Sequence, residues 1–258
     1  MGDRAECEWG EFLMANYLTT DTDLTAVANA IRTKGGTSGQ LTFPRGFVDA
    51  IGAIETDGGG GEPSEVPSGY TQLKYVESSG TQAINTGVAP TIETKFQVQG
   101  FFLAGNPAYY PLGGCSNPPI AVCSVSSPGG SAYSSFGNVV DKVLETPYAP
   151  FDEAPLHTID KTQVVVVSAI TKTIALNATT MSGNENTRIC LFARGNAGNI
   201  ERKSKCRIYR AKIWDDGVLL RDFVPALENA TEEVGMYDIV NNVFYRNVGT
   251  GVFIGGER

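Results

Sequence analysis

Arg207-Ile208-Tyr209-Arg210-Ala211-Lys212-Ile213-Trp214-Asp215-Asp216-Gly217 is the stretch that decides the fold. Successive side chains of an extended strand point to opposite sides. Tyr209, Ala211 and Ile213 therefore share one face, and Arg210 and Lys212 share the other. One apolar and one polar face predicts an antiparallel strand with one wet side. The stretch ends on Asp215-Asp216-Gly217, a hairpin signal of the type I′ kind. Residues 218–224 then supply the returning strand.

Runs of the same kind lie on both sides. Candidate strands fall at 73–77, 83–86, 95–102, 157–159, 163–168, 172–177 and 188–192. Asn241-Asn242 gives a second type I′ signal. The chain holds 30 Gly and 13 Pro, a turn load suited to many short strands. With no helical spacers between them, residues 70–258 predict a mainly β fold, a two-sheet sandwich.

Upstream the pattern changes. Residues 57–69, Asp57-Gly58-Gly59-Gly60-Gly61-Glu62-Pro63-Ser64-Glu65-Val66-Pro67-Ser68-Gly69, predict a Gly/Pro-rich linker spanning about 20 Å. Residues 14–56 predict a small two-helix module. Leu24, Val27, Ala28 and Ile31 recur at helical spacing over 23–32. A second helix starts at Pro44, with Phe47, Val48, Ile51 and Ile54 as its buried stripe. Helices this short are marginal alone. Leu24, Val27, Ile31, Phe43, Phe47, Val48, Ile51 and Ile54 are therefore the expected docking or oligomer contacts, and a trimer is expected. Residues 1–13 are expected to be an upstream extension, with Met14 as the natural start. Trp9-Gly10-Glu11 would be encoded by a purine-rich string resembling a ribosome site.

Composition excludes several classes. Of 258 residues, 20 are Lys or Arg and 28 are Asp or Glu, a net charge of −8. Neither nucleic acid nor an anionic membrane is an expected partner of so acidic a chain. No apolar run reaches the roughly 18–20 residues of a membrane span. The N-terminal residues lack the apolar core of a secretory signal, so synthesis in a cytoplasm is expected. Cys7, Cys115, Cys123, Cys190 and Cys206 form no zinc spacing and read as free, buried thiols. Cys115 and Cys123 are the only close pair.

Catalytic chemistry is thin. His157 is the one imidazole, no nucleophile-elbow motif accompanies it, and a strand-edge position is expected. The carboxylate pairs Asp152-Glu153, Asp215-Asp216 and Glu232-Glu233 lie in turn-like stretches and read as solvated acids. Asp222 and Asp238 read as structural acids bonded to turn backbone. Gly35-Gly36-Thr37-Ser38-Gly39 lacks phosphate-loop order and reads as an interhelix turn. No enzyme, metal or cofactor is expected.

Binding chemistry is richer. Arg202, Lys203, Lys205, Arg207, Arg210 and Lys212 form a basic cluster. It reads as a solvated face, with contact to an anionic surface as the alternative. Tyr109, Tyr110 and Tyr133 are candidates for stacking on sugar rings. Together with Arg210 and Lys212 they make the expected ligand set.

Three strings carry a resemblance. The first is Tyr70-Thr71-Gln72-Leu73-Lys74-Tyr75-Val76-Glu77-Ser78-Ser79-Gly80-Thr81-Gln82. The second is the stretch from Arg207 to Gly217 with Leu220-Arg221-Asp222-Phe223-Val224-Pro225-Ala226. The third is Gly235-Met236-Tyr237-Asp238-Ile239-Val240-Asn241-Asn242-Val243-Phe244-Tyr245. Together they resemble the concanavalin A/laminin-G-like (LamG) jelly rolls of phage and prophage structural proteins. Ala83 stands where that resemblance implies an aromatic residue. Ala30-Ile31-Arg32-Thr33-Lys34-Gly35-Gly36 and Leu41-Thr42-Phe43-Pro44-Arg45-Gly46-Phe47-Val48 resemble a short module of phage virion proteins.

The resemblance implies a virion protein, made in the bacterial host cytoplasm and assembled with other virion proteins. It would present a lectin-like sandwich to host cell-surface polysaccharide from a tail or fibre. A capsid-decoration or head-fibre protein is the alternative, and a cell-wall glycan hydrolase the distant one.

Overall fold

A computed structural model of the chain describes residues 20–35, 40–52, 64–105, 110–117, 119–125, 132–145, 154–168 and 171–257. The chain divides into two compact units, Met1–Pro63 and Ser64–Arg258.

In the first unit, α1 (Asp21–Gly35) and α2 (Arg45–Gly52) pack as a small hairpin. Ala28, Ile31 and Phe47 are buried between them, with Leu24, Leu41 and Ala50 alongside. The expected apolar stripes are only half covered. Val27, Phe43 and Val48 remain 48%, 63% and 66% exposed, because two short helices bury one narrow seam. Ile54 and the Ile51 side chain lie outside the described residues, as do residues 1–13.

The second unit is mainly β. Its strands begin with β1 (Tyr70–Gln72), β2 (Val76–Ser79), β3 (Ile84–Asn85) and β4 (Lys95–Phe102). Next come β5 (Tyr110–Ser116), β6 (Pro119–Val125), β7 (Ala132–Phe136) and β8 (Val139–Glu145). Then follow β9 (Leu156–Ile159), β10 (Gln163–Val167), β11 (Thr171–Ala175), β12 (Cys190–Leu191), β13 (Arg194–Asn196) and β14 (Asn199–Glu201). The chain closes with β15 (Lys205–Asp215), β16 (Val218–Glu228), β17 (Glu233–Asp238), β18 (Val243–Tyr245) and β19 (Ile254–Gly255).

These strands make two sheets. One runs β11-β10-β9-β4-β15-β16-β17-β18, with β1 on β16 and with β2 joining β15 to β19. The other runs β14-β13-β5-β6-β7-β8, with β12 and β3 attached. Every pairing is antiparallel except β13 with β5. The inner faces share one core. Phe96, Ile159, Ile208, Ile213 and Phe223 of the first sheet meet Leu112, Ile120, Phe136 and Leu191 of the second.

Ala83, the departure from the expected aromatic, is fully buried against Cys190 and Ala193.

The sequence-based linker is too long at its C-terminal end. Residues 64–69 belong to the β unit. Val66 is buried on Val224, Ala226, Tyr237 and Phe244, on the outer side of β16 and β17. Glu65 N–H donates to Gln72 Oε1 at 2.7 Å.

The hairpin reading holds at Asp216-Gly217. Asp215 pairs with Val218, and the two residues between have φ of 46° and 76°. It fails at Asn241-Asn242, where Asp238 pairs with Val243. The loop therefore has four residues, and only Asn242 takes a left-handed φ, of 57°.

Candidate functional site

The outer face of the first sheet is organised by β15. Cys206 and Ile208 point inward, and so do Ala211 and Ile213. Two inward pairs of opposite parity require one extra residue between them. The register with β4 shifts there: Ile208 pairs with Gly100 and Arg210 with Gln99, leaving Tyr209 unpaired in a β-bulge. The expectation that Tyr209 shares the core face with Ala211 and Ile213 is thus corrected. Gly100 permits the close approach, since a Cβ there would lie 2.4 Å from the Arg207 carbonyl.

Turned outward, the Tyr209 ring lies 5.5 Å from Tyr75 and 6.2 Å from Phe101. The Arg207 guanidinium sits 4.4 Å over Tyr75 and 5.7 Å from Phe101. Its Nε donates to Glu77 Oε2 at 2.5 Å. That bond to Glu77 raises the Arg207 pKa further. Burial raises that of the Tyr209 hydroxyl. Cross-strand pairing sets Phe101, Arg207, Glu77 and Ile254 in one row over β4, β15, β2 and β19.

Along β15 the face turns polar. Arg210 donates to Asp222 through Nε at 2.8 Å and Nη2 at 3.0 Å. It also forks onto Glu65 at 2.8 and 2.7 Å. Lys212 Nζ lies 3.0 Å from Asp222 Oδ2. Asp222 is only 4% exposed, so both cations are held by a carboxylate with little water. The hydrogen bond to Asp222 raises the Arg210 pKa above the usual arginine range. Gln97 and Gln99 pair across from Lys212 and Arg210. Gln97 Nε2 donates to Thr158 Oγ1 at 2.9 Å.

At the far end, Lys95 Nζ stands 4.5 Å over the Trp214 ring. Both line an open cleft of about 340 Å³, with Glu93, Asp160, Lys161 and Thr162 on its walls. Lys161 and Glu93 pair at 2.6 Å. The Asp160 carboxylate accepts from Thr162 N–H at 2.7 Å and Gln163 N–H at 3.0 Å, which fixes that wall. Asp215 accepts from Thr91 Oγ1 at 2.5 Å and Thr94 Oγ1 at 3.0 Å, which fixes the other. Asp215 is therefore a loop anchor rather than a solvated turn acid.

The expected ligand residues do not come together. Tyr110 and Tyr133 are half-buried on β5 and β7 of the second sheet. Arg210 and Lys212 lie on the first sheet, and Tyr109 falls outside the described residues. Within the basic cluster, Arg207, Arg210 and Lys212 are not solvated cations, since each faces a carboxylate.

His157 is not at a strand edge. It lies on β9 between β4 and β10, pairs with Val98 and Val166, and is 1% exposed. Neither ring nitrogen has a hydrogen-bond partner. Desolvation pushes its pKa down to about 4.

Asp238 fits its structural reading, accepting from the N–H groups of Asp222 and Val240 at 3.1 Å each. Asp222 instead holds side-chain cations. Glu233 pairs with Arg246 at 2.9 Å. Asp152 and Glu153 lie outside the described residues. Cys115, Cys190 and Cys206 are buried thiols. Burial raises the first two thiols to about 12.

The residues that sequence reasoning missed carried one visible signal. Phe101 and Trp214 fall on the polar parity of their strands, with Lys95, Gln97 and Gln99 or with Lys212. An aromatic ring on a wet face calls for a reason. Tyr209 gave no such signal, because the bulge reverses its parity.

In chemical terms the face offers half-exposed rings beside charges and amides already tethered. Among the described residues, no group of three or more His, Cys, Asp or Glu could hold a metal ion. No family model, curated protein or solved structure matches this chain.

Proposed function

We propose that this chain is a virion structural protein whose β unit, a LamG-like jelly roll, attaches a phage to glycan on its host. The observation that carries the reading is the outer face of β4 and β15, where Phe101, Tyr209 and Trp214 stand on a polar surface. The helical unit supplies the docking end. Val27, Phe43 and Val48 stay exposed and would be covered by other virion proteins or by further copies of the chain. Single glycan contacts are weak, and repeated copies on a particle raise their avidity. No enzymatic step is proposed.

The test has two parts. A cryo-EM map of the particle should place residues 20–52 at the tail or a fibre. Density on the capsid shell would favour decoration instead. Host-cell binding by the full chain should fall about fivefold in Trp214→Ala, the scale of one lost aromatic contact of about 1 kcal/mol. Unchanged binding would remove the outer face from the reading.

A further inference from the structure

We infer that the outer face of β4 and β15 binds one extended, uncharged glycan strand, gripped at both ends. This rests on the glycan-binding reading above and specifies the ligand class and its direction along the sheet. One grip is the ring cluster of Tyr75, Phe101 and Tyr209; the other is the Trp214 cleft.

Three observations lead here. The first is alignment. Phe101 pairs with Arg207, and Lys95 with Trp214, so both grips lie over the same two neighbouring strands. Phe101 and Lys95 are six steps apart on β4, about 20 Å at the rise of a strand. That exceeds a single sugar ring and suits a short oligosaccharide running parallel to the strands.

The second observation is charge. The chain carries −8 overall, and four bases of this strip and its cleft are matched to carboxylates: Arg207 to Glu77, Arg210 to Glu65 and Asp222, Lys212 to Asp222 and Lys161 to Glu93, while Lys95 stands over the Trp214 ring. Against these paired carboxylates a polyanion would find little net positive field. Hydroxyl groups need none, since tethered guanidinium, carboxylate and amide groups donate and accept in turn.

The third observation is order. Between the grips, Arg210, Lys212 and Gln97 are held by Asp222, Glu65 or Thr158. Little side-chain freedom is left to lose on binding. The bulge at Tyr209 turns an aromatic side chain onto this face without taking an inward position from the core.

Length dependence separates this inference from the broader reading. The full chain is titrated on immobilised linear hexose oligomers of two to six units. The neutral series are β-1,4-glucan, β-1,3-glucan, β-1,4-mannan and α-1,4-glucan, with oligogalacturonate as the acidic control. In one neutral series the affinity should rise about tenfold or more from dimer to hexamer, a gain of about 1.4 kcal/mol. Phe101→Ala and Trp214→Ala should each abolish that gain while Tm stays within a few degrees of wild type. Trp214→Phe should retain part of it.

Equal affinity for dimer and hexamer would overturn the extended strip and leave glycan binding standing. Binding to oligogalacturonate alone would overturn the uncharged ligand. Absence of binding to every series would overturn the strip, and the whole-cell assay would then decide whether the attachment reading falls with it.

Discussion

His157 shows what a single buried side chain costs when nothing bonds it. Both imidazole nitrogens are sealed between the sheets without a partner, so the ring stays neutral in the folded chain. Burial pushes its pKa down to about 4 in the folded chain, from an ordinary imidazole value of 6.5. Between those values the unfolded chain binds the extra proton, so stability falls as the pH drops below about 6.5 and stops falling below about 4. At pH 5 the loss is about 2 kcal/mol. Urea denaturation at pH 7.5 and pH 5 measures it. His157→Leu should lose less over that interval, and an equal loss would show that other groups dominate. Asp222 presents the converse case, a buried acid holding two cations. Asp222→Ala should cost about 2–3 kcal/mol, less than a fully buried pair because Arg210 and Lys212 keep some water. Denaturation midpoints at pH 7 check it. The Asp222 acid was legible from sequence as structural, but its partners were not, since they depend on which residues of β15 face it.

At the scale of elements, β15 is a strand read correctly except at one residue. Its amphipathic pattern and its hairpin end are plain in the chemistry of 207–217. The bulge is not, because Tyr209 suits either face and only the demand to bury both Ile208 and Ala211 exposes the extra residue. Deletion of Tyr209 should therefore restore simple alternation, with Cys206, Ile208, Ala211 and Ile213 still inward. The variant should fold, losing about 1–2 kcal/mol from ring contacts and local strain. Deletion of Lys212 should prevent the native fold, because it turns Ile213 outward and Trp214 into the core. Circular dichroism and thermal melts of the two deletions give the answer. The strands at 110–145 were not legible. They carry Gly113-Gly114, Pro111 and Pro119 and two register shifts on β7, features that blur period-two alternation.

The whole molecule is two units, and the sequence marked that division through its glycine run. The boundary itself was misplaced because Ser64-Glu65-Val66-Pro67 has linker composition yet packs as part of the β unit. Composition reports flexibility in isolation, whereas Val66 finds an apolar seat on β16 and β17. A chain beginning at Ser64 should melt at the temperature of the β unit in the full protein. One beginning at Tyr70 should be about 2 kcal/mol less stable, having lost the Val66 burial and the Glu65 contact with Arg210. Differential scanning calorimetry of the three proteins compares them directly.

The buried thiols give the β unit a built-in clock. Cys206 on β15, Cys115 on β5 and Cys190 on β12 sample both sheets, and burial holds all three in the unreactive protonated form. An alkylating reagent can reach them only when the sheets part. Their labelling rate therefore times the rare opening of the core under conditions where the folded state prevails.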